Sequence, residues 1–304
     1  MSLVSTTHSS KTLKIDLHSH TRHSDGQLTP EELVMRAHNM QVDILAITDH
    51  DTVAGIAQAK AFQERQNRPL KLISGIELST RWHGFDIHVI GLNVDENDLT
   101  LHQRLATQHS TRLERAKTIA RKLEACGMTG IGDAVFVQAG EGQVTRSHFA
   151  KALVEQGYVK DHAQAFKQWL GKGKRAFVAP RWIELTTAIE WIHEAGGQAV
   201  LAHPSHYDMT TKWLRRLVVE FAQADGDGIE LNYPNLTAEK QTLLIKIAQD
   251  NRLLRSQGSD FHLPCRWTEL GRALGRSAIL SDVIKPIWHD WDIQSNGKDA
   301  MNEH

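Results

Sequence analysis

The stretch Leu13-Lys14-Ile15-Asp16-Leu17-His18-Ser19-His20 decides how the rest of the chain is read. It is a short apolar run ending in two histidines spaced i, i+2. Side chains two apart on a strand point the same way, so both imidazoles can serve one metal ion. A helix signal follows at Thr29-Pro30-Glu31-Glu32, with an N-cap, a proline at the first helical position and acids in the first turn. That helix should run to about Asn39. Residues 43–48 (DILAIT) read as a buried strand, 53–66 as a helix, 70–74 as a third strand and Phe85–Leu92 as a fourth. Alternating strands and helices with short connections predict a parallel sheet or barrel.

The rhythm breaks between about 99 and 182. One long helix carries Leu105, Leu113, Ala116, Ile119, Ala120 and Leu123 at three- and four-residue spacing, interleaved with Arg112, Arg115, Lys117, Arg121 and Lys122. Residues 127–142 read as a loop. Helices are expected at 146–156 and 163–170, and then a basic loop, Gly171-Lys172-Gly173-Lys174-Arg175. This block reads as an inserted helical substrate or cap subdomain, residues 99–182, within a discontinuous barrel of residues 12–98 and 183–290. The α/β rhythm resumes with a helix at 186–195 ended by Gly196-Gly197, then strands at 199–202, 228–231 and 253–257, and helices at 213–223 and 237–250. Residues 1–11 and 291–304 read as flexible termini.

Composition narrows the function. The 304 residues are 40% hydrophobic and 23% charged, with a formal charge of −1, so no global nucleic-acid or membrane signature exists. Two cysteines, Cys126 and Cys265, make neither a disulfide framework nor a Cys-x-x-Cys site. No apolar run is long enough to span a membrane, and residues 1–11 are polar, so a cytoplasmic setting without a membrane or an obligate protein partner is expected. Histidine, at 18 residues, is in excess. His18, His20, Asp25, Asp49, His50, Glu77, His88, His203, Asp260 and His262 fall beside strand ends, and in parallel α/β folds the loops after strand C-termini form the active face. Imidazole and carboxylate without thiolate suit Zn²⁺, Mn²⁺ or Fe²⁺ and argue against a closed structural zinc site. Nine first-choice ligands (Asp49 set aside) exceed the needs of one ion. Two or three ions bridged by Glu77 and a hydroxide fit better, and clustered cations suit phosphoryl displacement.

The ordered motifs His18-Ser19-His20 with Ser24-Asp25-Gly26, Ile47-Thr48-Asp49-His50-Asp51, Gly75-Ile76-Glu77, Ile87-His88-Val89-Ile90-Gly91-Leu92, Ala202-His203-Pro204 and Gly258-Ser259-Asp260-Phe261-His262 resemble those of the polymerase and histidinol phosphatase (PHP) family. The resemblance spans residues 15–288. It implies an α/β fold, a distorted seven-stranded (β/α) barrel of TIM-like type, and a trinuclear metal site, most often manganese. By the same resemblance His18, His20 and Asp260, with Glu77 bridging, hold one ion. Asp25, His50 and His262 hold a second, and Glu77, His88 and His203 a third. Asp260, His203 and Glu77 act in catalysis through metal-bound hydroxide, and Asp49 orients His50.

Within the family the chain is similar to the bacterial exoribonuclease (RNase AM) and 3′,5′-nucleotide bisphosphate phosphatase type. That similarity rests on Val144-Thr145-Arg146-Ser147-His148-Phe149-Ala150, the basic loop at 171–175, and Ala202-His203-Pro204-Ser205-His206-Tyr207. Such relatives commonly carry Gly-Arg where this chain has Ser205-His206. The likeness implies release of 5′-mononucleotides from the 5′ end of short RNAs and removal of the 3′-phosphate from 3′,5′-bisphosphonucleotides. Both reactions attack phosphorus bonded to the 3′-oxygen of a nucleotide that carries a 5′-phosphate. That 5′-phosphate is a handle that positions the reacting group. Arg146 is the first candidate to hold it, since guanidinium binds phosphate bidentately; His148, Lys174, Arg175 and His206 are the others. Alternative readings are a histidinol-phosphate-type phosphatase and a non-catalytic PHP binding module. Trp82, Trp169, Trp182 and Trp213 read as core or interface residues.

Overall fold

In the computed structural model, which describes residues 13–265, 268–272, 274 and 283–292, Thr29 caps the first helix as its sequence requires. Its side chain accepts from the Glu32 backbone N–H while the Glu32 carboxylate accepts from the Thr29 N–H, a reciprocal capping box. The described elements are β1 (Ile15–Asp16), α1 (Pro30–Asn39), β2 (Ile44–Ile47), α2 (Ile56–Gln63), β3 (Lys71–Trp82), β4 (Phe85–Leu92), α3 (Leu99–Glu124), α4 (Ile131–Ala139), α5 (Arg146–Glu155), α6 (His162–Ala165), β5 (Ile183–Glu184), α7 (Leu185–Glu194), β6 (Gln198–Leu201), α8 (Thr211–Gln223), β7 (Gly228–Asn232), α9 (Ala238–Asp250) and β8 (Leu254–Gln257). The flexible-terminus expectation concerns residues that, apart from 291 and 292, lie outside those described.

Seven strands pair in the order β1-β2-β3-β4-β6-β7-β8, with β5 beside β3. The ends of this path meet. Leu17 N–H donates to Gln257 O (3.1 Å), His20 N–H donates to Phe261 O (2.8 Å), and the Gln257 side chain donates to Ile15 O (2.9 Å). The sheet is thus a nearly closed barrel, as expected from the sequence.

One strand departs from the parallel expectation. β4 is antiparallel to both β3 and β6. β3 continues to Trp82, well past the residue 74 at which the sequence reading ends it. Only His83 and Gly84 then separate it from β4, and both have positive φ (45° and 83°), the backbone of a tight hairpin turn. Two residues cannot carry a parallel crossover, which needs a dozen or more.

Alternation along the strands sorts side chains into an outer and an inner set. Leu45 and Ile47, Ile76 and Leu78, Ile87 and Val89, Ile229 and Leu231 pack outward against the helices. Ile44 and Ala46, Ile73, Ile90 and Leu92, Val200 and Ala202 fill the inside of the barrel. Glu77, His88 and Glu230 occupy inner positions by the same alternation. Apolar layers thus close one end of the barrel, and polar side chains crowd the other.

The helices between α3 and β5 build their own apolar cluster, with Ala116, Ile119, Leu123, Ile131, Val135, Phe149, Leu153 and Leu170 all buried. Residues 131–139 are helical, where the sequence reading has a loop. Ile131, Val135 and Ala139, four apart, bury one face of α4, and five glycines between 127 and 142 mask that signal. At 163–170 the expected helix is α6 followed by a single π-helical turn, Phe166–Leu170.

A buried ion pair ties this cluster to the barrel. The Arg112 guanidinium on α3 meets the Asp51 carboxylate, donates to Ser79 Oγ (2.7 Å), and lies over the Trp182 ring at 4.7 Å. Removing one partner of a buried pair leaves an uncompensated charge, at a cost of about 3–5 kcal/mol. Arg112→Met should therefore lower unfolding free energy by about that much in urea titration. A loss under about 1 kcal/mol would show that the pair does not tie the two cores.

Candidate metal centre

Five imidazoles surround the carboxylate of Glu77, which is 1% exposed. Its Oε2 lies 3.4 Å from His18 Nε2, 3.3 Å from His20 Nε2 and 3.0 Å from His50 Nδ1. Its Oε1 lies 2.9 Å from His88 Nδ1 and 3.0 Å from His203 Nε2. Neither Glu77 nor His88 lies beyond a strand end, as the sequence reading has it. They face each other inside the extended β3–β4 hairpin, which reaches past the barrel rim. His50 is brought alongside because β2–β3 pairing continues past β2: Glu77 N–H donates to Asp49 O and Asp51 N–H to Glu77 O.

The chain ends of the barrel supply the rest. Asp260 Oδ1 is 3.3 Å from both His18 Nε2 and His20 Nε2. His262 Nε2 is 3.1 Å from Asp25 Oδ1, which is 3.8 Å from His50 Nε2. Donor atoms gather into four groups that could each hold an ion: His18/His20/Asp260, His20/Asp25/His50/His262, His50/Glu77/His88 and His18/Glu77/His203. All nine residues singled out as ligands fall within these groups. Their sharing of His18, His20, His50 and Glu77 is a bridged polynuclear arrangement. Asp25 Oδ1, His50 Nδ1 and Glu77 Oε2 are buried without hydrogen-bond partners. Buried polar atoms are seldom left so, and these three are the atoms that face neighbouring donors of opposite or lone-pair character. The donor set fits divalent cations.

Electrostatics agree. Burial would raise the Glu77 carboxyl, but His50, His88 and His18 hold it well below its usual range. Burial likewise opposes ionisation of Asp25 and Asp260, and His262 with His50 or His18 overrides it. Burial would depress His262, yet Asp25 and Asp260 push it up to about 10. Protons on imidazole here occupy the place that cations take when bound, so metal loading competes with protonation.

Ring orientation is fixed from behind. His18 Nδ1 lies 3.1 Å from Glu230 Oε1, leaving Nε2 for the cluster. The other Glu230 oxygen accepts the His203 backbone N–H at 2.6 Å. That bond holds His203 in left-handed backbone (φ 27°, ψ 56°), and Asp260 also has positive φ (51°); such backbone is costly and collects at functional sites. Glu230 is fully buried on β7 and escapes the sequence reading. Its signal is a carboxylate amid the apolar strand Gly228-Ile229-Glu230-Leu231. Asp49 does not orient His50, contrary to expectation. It accepts from Thr21 N (2.7 Å), Thr21 Oγ1 (2.6 Å) and Ser24 Oγ (2.6 Å), and Ser24 Oγ in turn lies 3.3 Å from His20 Nδ1. A carboxylate does support a histidine, but the histidine is His20. Tyr207 Oη accepts the His88 backbone N–H (3.0 Å) and donates to Ala202 O (2.9 Å), spanning β4 and the end of β6.

The proposed phosphate contacts spread out. Arg146, first residue of α5, has Nη2 3.6 Å from Asp86 Oδ2, and Asp86 is two residues before His88. His148 sits on the same first turn, its Nδ1 accepting the Thr145 N–H at 3.1 Å, while Thr145 Oγ1 donates to Asp25 Oδ2 at 2.9 Å. His206 stacks on His203 (5.4 Å, 16°) and meets Tyr233 edge-on. Lys174 and Arg175 are exposed on the loop before β5. Arg115 is an addition: its guanidinium is mostly buried and pushed down to about 9 by burial and by Arg146.

Glu230 gives a direct test. Groups that orient metal ligands from behind typically contribute 10–100-fold in affinity. Glu230→Ala should weaken manganese binding by about that factor in calorimetric titration, and Glu230→Gln, which keeps a hydrogen bond, should lose less. Unchanged affinity in Glu230→Ala would remove the orienting role.

The PHP domain signature matches residues 16–188. The chain is 44% identical over 281 residues to the 5′-3′ exoribonuclease Rnm of Escherichia coli, covering 92% of this chain and 94% of that protein. It is 38% identical over 277 residues to the 3′,5′-nucleoside bisphosphate phosphatase of Chromobacterium violaceum, covering 91% and 95%. Among solved structures, an amidohydrolase from Chromobacterium violaceum, with bound sulfate and no metal, superposes with a TM-score of 0.83 at 36% identity, covering 90% of this chain and 94% of that one. A protein from Bifidobacterium adolescentis classed as a metal-dependent phosphoesterase superposes with a TM-score of 0.76 at 26% identity, covering 88% and 94%. With the motifs, the barrel and the cluster in agreement, the chain belongs to the PHP domain family.

Proposed function

We propose that the protein is a metal-dependent phosphoesterase that hydrolyses the 3′-phosphoester of 5′-phosphorylated nucleotides. It acts as a 5′-to-3′ exoribonuclease on short RNA and as a 3′,5′-bisphosphonucleotide phosphatase. The observation that carries this reading is the set of nine buried or half-buried imidazole and carboxylate side chains, shared among adjoining ion sites and overlooked by the N-terminus of α5. Two to three ions, with manganese first among manganese, zinc and iron, would be held by His18, His20, Asp25, His50, Glu77, His88, His203, Asp260 and His262. When bound, such ions supply Lewis-acid stabilisation and an acidified water.

The chain's own residues do the positioning. Residues 99–182 cover the barrel mouth in this reading, and Arg146 with Arg115 form the handle for the 5′-phosphate. Two guanidiniums share one carboxylate, Asp86, and Arg115 Nη2 is buried without a partner. The gap they line holds only about 10 Å³. Phosphate is therefore met at its rim by the partly exposed Arg146, not enclosed. His206, exposed beyond the ring of His203 on which it stacks, would meet the departing 5′-nucleotide. A cytoplasmic setting belongs to the same proposal, and no described helix is long and apolar enough to cross a membrane.

Product analysis on a short 5′-phosphorylated RNA with manganese tests the reading. Stepwise release of 5′-mononucleotides is expected, and Asp260→Ala should abolish it while lowering bound metal; a fully active Asp260→Ala would refute the cluster. A charge-assisted phosphate contact is worth about 1.5–3 kcal/mol, so Arg146→Ala should raise KM for 5′-phosphorylated substrates by about 10–100-fold. Hydrolysis of a generic aryl phosphate should change little. Equal losses on both would sink the handle.

A further inference from the structure

A cleft of about 540 Å³ opens beside the metal centre, with Asp25 and His262 among its lining residues. This is the size of a small-molecule or nucleotide site, roughly 300–1,000 Å³. Its walls come from the turn after β1, which carries Arg22, and from the helical region, which contributes Ser147, His148, Lys151 and His162. Ser147 and Lys151, four apart on α5, share a face. Arg146 lies outside this lining and turns to Asp86 on β4. α5 thus presents one basic side chain towards the His88 end of the cluster and another into the cleft at the Asp25 end.

The charge in the cleft is one-sided. Asp25 is the only carboxylate among the described residues lining it, and it belongs to the metal cluster. Among the described residues Lys151 has a loose ion-pair partner, Glu155 at 3.9 Å, outside the lining. Arg22 donates through Nε to Gln27 O at 2.7 Å, which fixes the side chain and, among the described residues, leaves the other guanidinium N–H groups uncommitted to any carboxylate. His148 accepts the Thr145 N–H on Nδ1, so Nε2 carries the proton and is a donor. Arg22 and His162 are exposed, so the cationic walls run from the cluster out to the surface.

The proposed reaction leaves one part of one substrate without a place. A 3′,5′-bisphosphonucleotide ends at the attacked phosphorus. In RNA that phosphorus also carries the 5′-oxygen of the next nucleoside, and with it a further run of phosphates. We propose that this cleft holds the RNA strand beyond the scissile phosphate, with Arg22 and Lys151 contacting its phosphates, and so sets how well the enzyme uses polymer relative to mononucleotide. This rests on the phosphoesterase reading above.

The test is the double variant Arg22→Ala/Lys151→Ala, loaded with manganese and assayed on a 5′-phosphorylated pentaribonucleotide and on 3′,5′-bisphosphoadenosine. The kcat/KM for the pentanucleotide should fall at least about tenfold, as expected when two charge-assisted hydrogen bonds are removed, while the bisphosphonucleotide stays within about twofold, which also reports an intact fold. The salt dependence of the pentanucleotide reaction should become shallower, by about 0.7 in log–log slope for each phosphate no longer neutralised. Equal losses on both substrates, or no loss on either, would overturn the assignment. Wild-type protein that cleaves neither substrate would instead remove the phosphoesterase reading, and this proposal with it.

Discussion

One buried carboxylate, Glu77, is approached by five imidazoles from four separate segments of the chain. An isolated ionised carboxylate in a barrel interior is strongly disfavoured, and so is a packed set of neutral or charged imidazoles. Each is tolerable only because the other is present or because cations intervene. The β1 turn, the loop after β2, the β3–β4 hairpin and the loop after β6 must all hold their histidines in register with this one side chain. Glu230 and Asp49 extend the same logic backwards. Carboxylates behind the rings set which nitrogen faces the cluster.

Much of this is legible in the sequence, for a definite reason. Alternation on strands is local, so His18/His20 and the cap at Thr29 announce their geometry within a few residues. Most of the barrel strands also show as short apolar runs. What escapes depends on partners distant in sequence. The antiparallel course of β4 turns on whether β3 stops at residue 74 or continues to Trp82, which hydrogen bonding to β4 decides. Glu230 reads as an ordinary polar residue in an apolar strand until His18 and His203 are placed beside it. Asp49, adjacent to His50 in sequence, supports His20 instead, because its side chain leaves the strand on the opposite side from the neighbouring ring.

The helical region divides the labour differently. Most of its buried apolar residues form a cluster of their own, while Leu101 and Leu105 at the start of α3 pack with the barrel's outer core. Two of its contacts with the barrel stand out: Arg112 with Asp51, and Thr145 with Asp25. The first of these fixes the region to the barrel; the second touches a candidate metal ligand directly. In the proposed reading chemistry resides in the barrel and recognition in the helices, and α5 is the element that belongs to both.

The seam of the barrel has a bearing on how the protein comes into being. The two segments that close it, 17–20 and 257–261, also carry His18, His20 and Asp260. Donors from opposite ends of the chain therefore meet only when the last strand docks against the first, a contact of very long sequence separation that forms late and slowly. Until then His18 and His20 lack Asp260, and a nascent chain emerging from the ribosome holds an incomplete set of donors. With the proposed activity, the metal centre cannot be complete in a chain that stops short of residue 262.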